Sequence, residues 1–342
     1  MKDVLLAHFA RYGAMTAQDT AKLLYQATFG PGHLIADPAV AATRLAEERA
    51  ASAKIDAPAF EAIGGGFCRL HLGARELDGV PDELLSRMFL LSAEKTGDMD
   101  TFSARLTELE ALAQGGKTPF SAGDLAEYLT AYRAEGCPMV SHSPVYREAY
   151  APAYRVVRAE YARLLPLLQR VSAMPGGVIA IDGRAASGKS TLAELLSQLL
   201  QAPVVHMDDF FLPPEKRTQA RLSEPGGNVD YERFADEVLP GLNAGAFCYG
   251  VFDCSVMRVT EQAAVPAAPW RIVEGSYSHH PHFGDYAALR VCLTVDPTEQ
   301  LRRIRLRNGD EMAEMFKNRW IPMEEHYFDA FRIRDKADIV LE

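Results

Sequence analysis

Val178-Ile-Ala-Ile-Asp-Gly-Arg-Ala-Ala-Ser-Gly-Lys-Ser-Thr191 decides how the chain is read. Val178 to Ile181 is a short apolar run of the kind that forms a strand buried on both faces. Gly183 to Ser190 then matches G-x-x-x-x-G-K-[ST], and Leu192, Leu195, Leu196 and Leu199 recur behind it at helical spacing. Strand, glycine loop and helix stand in the order that a phosphate-binding P-loop requires. A polyphosphate carries several negative charges, so such a loop must turn its backbone N–H groups inward. Gly183 and Gly188 permit the close approach and the unusual dihedrals, and the helix points its positive end at the phosphates. The expected ATP contacts are therefore Gly183, Arg184, Ala185, Ala186, Ser187, Gly188, Lys189, Ser190 and Thr191. Lys189 is expected to reach the β- and γ-phosphates, and the Ser190 hydroxyl to ligate Mg²⁺. A plain glycine turn with a surface lysine would need neither the apolar strand before it nor the leucine-patterned helix behind it.

The bulk numbers bound the rest. A chain of 342 residues has room for two domains. With 48% hydrophobic and 24% charged residues, the composition is that of an ordinary globular protein. A net charge of −10 argues against a large nucleic-acid footprint but leaves room for a locally basic phosphate site. The five cysteines are scattered, with no C-x-x-C pair, which suits a reducing cytoplasm better than a disulfide framework. Met1-Lys-Asp-Val-Leu-Leu-Ala-His8 is too short an apolar run for a signal peptide, and no segment approaches the length of a membrane span. The expectation is a soluble cytoplasmic protein with no nucleic-acid or membrane partner; a homo-oligomer is compatible with it.

Residues 1–172 read as a mostly helical domain. Asp37-Pro38 caps and starts a helix that continues to about Ala50. Pro81-Asp-Glu opens another, and further helices are expected over Asp98–Ala113, Ser121–Ala134 and Tyr154–Arg170. Phe67-Cys-Arg-Leu-His-Leu72 alternates like one short strand. Gln26–Ile35 and Ser141–Tyr150 combine turn residues with His, Tyr or Arg. A second ligand pocket using His33, His142, Tyr146 and Arg147 is one reading of them. A helix-breaking turn with capping and core-edge aromatics is the simpler one. A metal site from His33, His71 and His142 matches no ligand-spacing motif. Val171-Ser-Ala-Met-Pro-Gly-Gly177 marks the boundary to a second domain, 173–342.

In that second domain, Ala202–Met207 is a second strand that runs into Asp208-Asp-Phe-Phe211. A carboxylate at the C-terminal end of a parallel strand faces the crevice where ligands bind. Asp208 can there accept a proton from an attacking hydroxyl or help hold Mg²⁺. Asp230 in Pro225–Phe234 either caps a helix or points at a substrate. Tyr249-Gly-Val-Phe-Asp-Cys254, with Asp253, suits a flat hydroxylated substrate or an edge strand. Trp270–Gly275 is a third strand that ends in Glu274, an acid able to reach the Mg²⁺ shell. Ser276–His282 carries three histidines, but neighbours in an extended loop point different ways, which counts against a metal site. Leu289–Val295 and Ala337–Leu341 complete five strands. Arg302, Arg303, Arg305 and Arg307 crowd Glu299–Gly309. A cationic flap over the phosphates is preferred there to a solvated helix face.

Together these residues resemble the uridine kinase branch of the P-loop kinases, which also includes phosphoribulokinase-like, nicotinamide-riboside and pantothenate kinases. The resemblance covers about Val178 to Glu342. It rests on Gly183–Thr191, Asp208-Asp-Phe-Phe211, Asn228-Val-Asp-Tyr-Glu-Arg233, Val273-Glu-Gly275 and the arginine-rich segment. It implies an α/β fold with a five-stranded parallel sheet, with ATP and Mg²⁺ as cofactors and Asp208 as catalytic base. Phe211 falls where that branch carries a substrate-side tyrosine, and Asp230 where an acid grips sugar hydroxyls. Tyr249 and Asp253 fall near the base-binding segment. The family's histidine there is missing, and Arg307-Asn-Gly-Asp310 replaces its arginine-glycine-arginine. Residues 1–172 look similar to a helical module of unassigned role found fused to, or separate from, such kinases. The expected activity is transfer of the ATP γ-phosphoryl to a hydroxyl on a small molecule, first of all a nucleoside such as uridine or cytidine. Lys189, Arg303 and Arg307 would steady the phosphoryl oxygens, and Ser190 and Glu274 the metal. The alternatives are a kinase for pantothenate, a riboside or a sugar, and an ATP-gated switch whose helical half binds a partner.

Overall fold

The computed structural model describes residues 1–94 and 97–342 and divides into two units, Met1–Ser172 and Ala173–Glu342. The first unit holds helices α1 (Lys2–Arg11), α2 (Ala17–Phe29), α3 (Pro38–Ala51), α4 (Asp82–Ser92), α5 (Met99–Gln114), α6 (Ala122–Ala134), α7 (Pro144–Tyr150) and α8 (Leu165–Ser172). Side-chain caps set many of these starts. Thr16 and Asp19 close a capping box on α2, Ser121 and Asp124 on α6, and Asp37 and Asp98 cap α3 and α5. Leu5, Leu23, Leu24, Phe102, Leu109 and Leu129 fill the core between the helices.

The unit also holds a three-stranded antiparallel sheet, β1 (Phe60–Gly64), β2 (Phe67–His71) and β3 (Tyr154–Arg158), with β2 in the middle. This corrects the expected helix over Tyr154–Arg170, where the α-helix begins only at Leu165 and runs to Ser172. All five residues of β2 are buried, so its backbone groups need a partner strand on each side. Tyr154-Arg-Val-Val-Arg158, rich in β-branched and aromatic residues, supplies the second. The leucines that mimic helical periodicity begin only at Leu164.

In the second unit the chain forms β4 (Gly177–Gly183), α9 (Lys189–Leu200), β5 (Val204–His206), α10 (Gln219–Ser223), α11 (Tyr231–Glu237) and α12 (Leu239–Leu242). An antiparallel hairpin, β6 (Phe247–Asp253) and β7 (Arg258–Val265), follows. Then come β8 (Trp270–Glu274), β9 (Leu289–Leu293), α13 (Pro297–Asn308), α14 (Asp310–Met315), α15 (Ile321–Phe331) and β10 (Ile339–Leu341). The main sheet has the order β10-β9-β4-β8-β5, and every neighbouring pair is parallel. The fold is α/β with a five-stranded parallel sheet, as expected. β4 is the central strand, which is why Val178–Ile181 carries apolar side chains on both faces. Leu192, Leu195, Leu196 and Leu199 turn α9 onto the core. Among the described residues no helix is long and apolar enough to cross a membrane.

Gly183 is a glycine for a steric reason. Its φ is +151°, and a Cβ there would lie 2.5 Å from the Leu293 carbonyl oxygen on β9. Asp182, just before it, is fully buried. Its carboxylate accepts from the Gly183 amide at 2.7 Å, the Tyr277 amide at 3.2 Å, the His279 amide at 2.9 Å and the Tyr327 hydroxyl at 2.8 Å. One side chain thus ties the end of β4 to the segment after β8 and to α15. Replacing it orphans several buried donors at once. Asp182→Ala is expected to lower unfolding free energy by about 3 kcal/mol or more. Urea unfolding followed by circular dichroism measures this, and a change under about 1 kcal/mol would contradict the role.

Candidate active site

The loop Arg184–Gly188 links the central strand to α9, with left-handed backbone at Ala186 (φ +57°) and Gly188 (φ +100°). The Lys189 side chain curls over it. Nζ donates to the carbonyls of Gly183 at 2.8 Å and Arg184 at 2.9 Å. The Ser187 hydroxyl is buried with no partner among the described residues, a polar atom in the loop that a phosphate oxygen would satisfy. Sheet order places β8 beside β4, so Glu274 at the tip of β8 meets the first turn of α9. The Ser190 hydroxyl lies 3.3 Å from both Glu274 carboxylate oxygens. His206 at the tip of β5 donates Nδ1–H to Glu274 at 2.6 Å, a bond that pulls the imidazole pKa upward. Ser190 and Glu274 offer the hard oxygen donors that Mg²⁺ takes. Among the described residues no set of three His, Cys, Asp or Glu side chains is arranged to hold a metal alone. Mg²⁺ at phosphates keeps several waters and needs few protein ligands, so the two oxygens fit it.

Asp208 sits in the short 3₁₀ turn Met207–Phe210 at the end of β5. Its side chain keeps solvent access, yet surrounding protein strips enough hydration to push its carboxyl above the usual aspartate range. Lys189 and His206 act against that rise, and Glu274 and Asp209 add to it. Asp208 therefore stands in the electrostatic field of the loop lysine and the Glu274 carboxylate.

The other expected residues divide. Tyr249 is buried on β6 and donates its hydroxyl to Asp209 at 2.9 Å, beside Asp208. Phe211 pairs its main chain with Val229 in an isolated bridge. Asp230 is buried and has two partners: it caps α11 through the Arg233 amide, and Lys216 Nζ reaches both its oxygens at 2.9 Å. Asp253 turns back on Ser255 at the hairpin end, at 2.7 and 2.6 Å, and is not brought to the others. Arg303 reaches the loop, donating to the Ala186 carbonyl at 3.2 Å and to Glu299 at 2.7 Å. Arg307 is exposed and donates to Asn308 at 2.8 Å, while Arg302 and Arg305 pair with Glu299 and Asp310. The histidines after β8 serve packing. His279 donates its amide to Asp182 and its ring meets the Ala180 carbonyl at 3.0 Å, and His280 stacks on Tyr231 at 4.9 Å.

Two acids that the sequence did not single out complete the site. Glu324, buried on α15, accepts the Ala185 amide at 2.9 Å and the Ser276 hydroxyl at 2.9 Å. Burial raises its carboxyl. Glu325 grips the Arg184 guanidinium with both oxygens. In sequence, Ile321-Pro-Met-Glu-Glu325 reads as an ordinary helix start with acids in the first turn. Nothing local ties it to a loop well over a hundred residues earlier.

No family model matches the chain, and no curated protein is similar to it. Two solved structures, each with a provisional assignment, are similar in fold. One is a uridine kinase from Bacillus stearothermophilus, 21% identical, covering 53% of this chain and 97% of that chain with a TM-score of 0.42. The other is a fructose transport system kinase from Silicibacter sp. TM1040, 21% identical, covering 52% and 98% with a TM-score of 0.41. Both of these neighbours carry the name of a small-molecule kinase, at low identity and over about half the chain.

Glu324 presents negative charge at an amide that a triphosphate would also face. Glu324→Gln keeps the size and removes the charge, so it is expected to tighten ATP binding about tenfold. Titration calorimetry with ATP and Mg²⁺ measures this, and weaker binding by the variant would show that the carboxylate supports the nucleotide instead.

Proposed function

We propose that residues 173–342 catalyse ATP-dependent phosphorylation of a hydroxyl group on a small molecule. The observation that carries this is a convergence at the C-terminal edge of one parallel sheet. The loop lysine, the Ser190–Glu274 oxygen pair and Asp208 meet there, and Asp208 lies in their field. Each group has a part in such a transfer, which depends mostly on positioning and charge compensation.

The loop amides and Lys189 would take the β- and γ-phosphates, with Lys189 leaving the Gly183 and Arg184 carbonyls to do so. Arg303, already against the Ala186 carbonyl, would steady the phosphoryl oxygens; Arg307 would have to swing in to join it. Ser190 and Glu274 would hold Mg²⁺, which supplies charge neutralisation between the phosphates. Asp208 would take the proton of the acceptor hydroxyl. The oxygen–phosphorus bond to the acceptor forms as the bond to the ADP oxygen breaks. The upward-shifted carboxyl of Asp208 makes it a better base than an ordinary aspartate.

The acceptor we favour is a nucleoside such as uridine or cytidine. One observation favours another hydroxylated metabolite, such as pantothenate, a riboside or a sugar. The Asp230 carboxylate that would take sugar hydroxyls is already held by Lys216. ADP release measured with a panel of these acceptors separates the two, and no acceptor-dependent release from any of them would sink the kinase reading.

Asp208→Asn is expected to cut kcat by about 10²-fold or more while leaving the ATP dissociation constant nearly intact. An unchanged kcat would remove Asp208 from the mechanism. Because protein surroundings raise this carboxyl, the acid limb of the pH–rate profile should lie above the ordinary aspartate range, with activity lost as the pH falls through it. The same shift gives a stability signature. A carboxyl with a raised folded-state pKa weakens the fold as the pH rises past it, so Asp208→Asn should not lower Tm at neutral pH.

A further inference from the structure

The N-terminal unit contains a cavity of about 250 Å³ that the kinase reading does not use. Lys22 and Gln26 of α2, Arg44 of α3, Phe89 of α4, Tyr154 of β3 and His142, which precedes α7, stand around it. Two of these are cations that form no ion pair among the described residues. Arg44 makes no hydrogen bond or ion pair among the described residues, and Lys22 has only a hydrogen bond to the Val140 carbonyl at 3.0 Å. The third cation at the rim, Arg155, is neutralised by Glu48 at 2.6 Å.

Behind the cavity wall the charge is positive again. Arg69 is fully buried 4.5 Å from the Tyr154 ring, with Nε and Nη2 unpartnered among the described residues. Glu61, at 3.5 Å, answers it only in part, since that carboxylate also serves Arg11 and His71. Burial, then Arg69 and Arg147, lower the Lys22 ammonium to about 8, against the pull of Asp19. His33 and His142, which also face Lys22, are themselves held toward the neutral form by burial. An arriving anion would relieve this repulsion.

The polar wall is fixed in advance. Buried Asp19 accepts from His142 Nδ1 at 2.9 Å, which leaves Nε2 to accept the Tyr154 hydroxyl at 2.6 Å. Asp19 is itself anchored by the Ser143 amide at 2.9 Å and hydroxyl at 2.6 Å. Phe89 supplies an apolar surface for a carbon skeleton.

We propose that the N-terminal unit binds a small organic oxyanion, a carboxylate or a phosphate monoester. Its acid group bridges Lys22 and Arg44, and its body packs on Phe89 beside the Asp19–His142–Tyr154 chain. The paired cations select the oxyanion, since a guanidinium matches its oxygens two at a time. The mixed apolar and polar lining is that of a small-molecule pocket.

The test is titration calorimetry on the full chain with succinate, benzoate, glycerol phosphate and ribose 5-phosphate as probes. Each is repeated in Lys189→Ala, which silences phosphate binding at the P-loop. At least one probe is expected to bind with a dissociation constant below about 1 mM, equally in Lys189→Ala. Lys22→Ala and Arg44→Ala should each weaken it about tenfold or more. Arg44 is exposed and unpaired, so Arg44→Ala should keep the parent Tm, which separates lost binding from lost folding. Binding should take up protons near pH 8.5, seen as heats that vary with the buffer's ionisation enthalpy. Which class binds identifies the acid group. Overturning results are no probe binding below about 10 mM, binding that survives both substitutions, or binding that disappears in Lys189→Ala.

Discussion

A loop that turns backbone N–H groups inward must give them an acceptor, and in this protein a carboxylate already serves. The Ala185 amide meets Glu324 at 2.9 Å, and Glu325 holds the neighbouring Arg184. Asp182, one residue before the loop, is satisfied in the same currency, by three amides and a hydroxyl rather than by a cation. Both acids are buried, where an unpaired charge would be costly and N–H donors offset the loss of hydration. The loop's shape, the placing of α15 and the segment after β8 all follow from finding donors for these two carboxylates. On the proposed reading, a triphosphate entering the loop would compete with Glu324 for the same donor.

The chemistry of the site depends on strand order. Glu274 ends β8 and Asp208 follows the end of β5, yet β8 lies beside β4 and β5 beside β8, so both share one edge with the loop. On the proposed reading, Ser190 and Glu274 would supply oxygen to a divalent cation while Lys189 and Arg303 would supply positive charge, and Asp208 keeps its solvent access. A carboxylate lifted by its surroundings, near a fixed cation, is the arrangement that makes a base useful near neutral pH.

Much of this was legible because it is local. Val178–Thr191 carries strand, loop and helix within one stretch, and acids at strand tips mark the ligand edge of a parallel sheet. The contacts of Glu324 were not legible, since a helix-start acid looks the same whether it faces water or a distant loop. The arginines of α13 were harder to read. Three of them pair with Glu299 and Asp310, as a solvated helix face would do, and among the described residues Arg303 alone reaches the loop. In the N-terminal unit the third strand was hidden by the leucines that follow it. Once β3 is in place, Tyr154 stands beside His142, and two patches of sequence that looked like turn material become the walls of one cavity.

The account stands or falls on what the loop does with a nucleotide. A crystal structure of the full chain with Mg²⁺ and a non-hydrolysable ATP analogue tests it most directly. It should show the β- and γ-phosphates on the loop amides and Lys189 Nζ moved from the Gly183 and Arg184 carbonyls onto them. The metal should lie between Ser190 and Glu274, with the Glu324 carboxylate withdrawn from the Ala185 amide. A nucleotide bound elsewhere, with Lys189 still on its carbonyls and Glu324 still on its amide, would contradict the account.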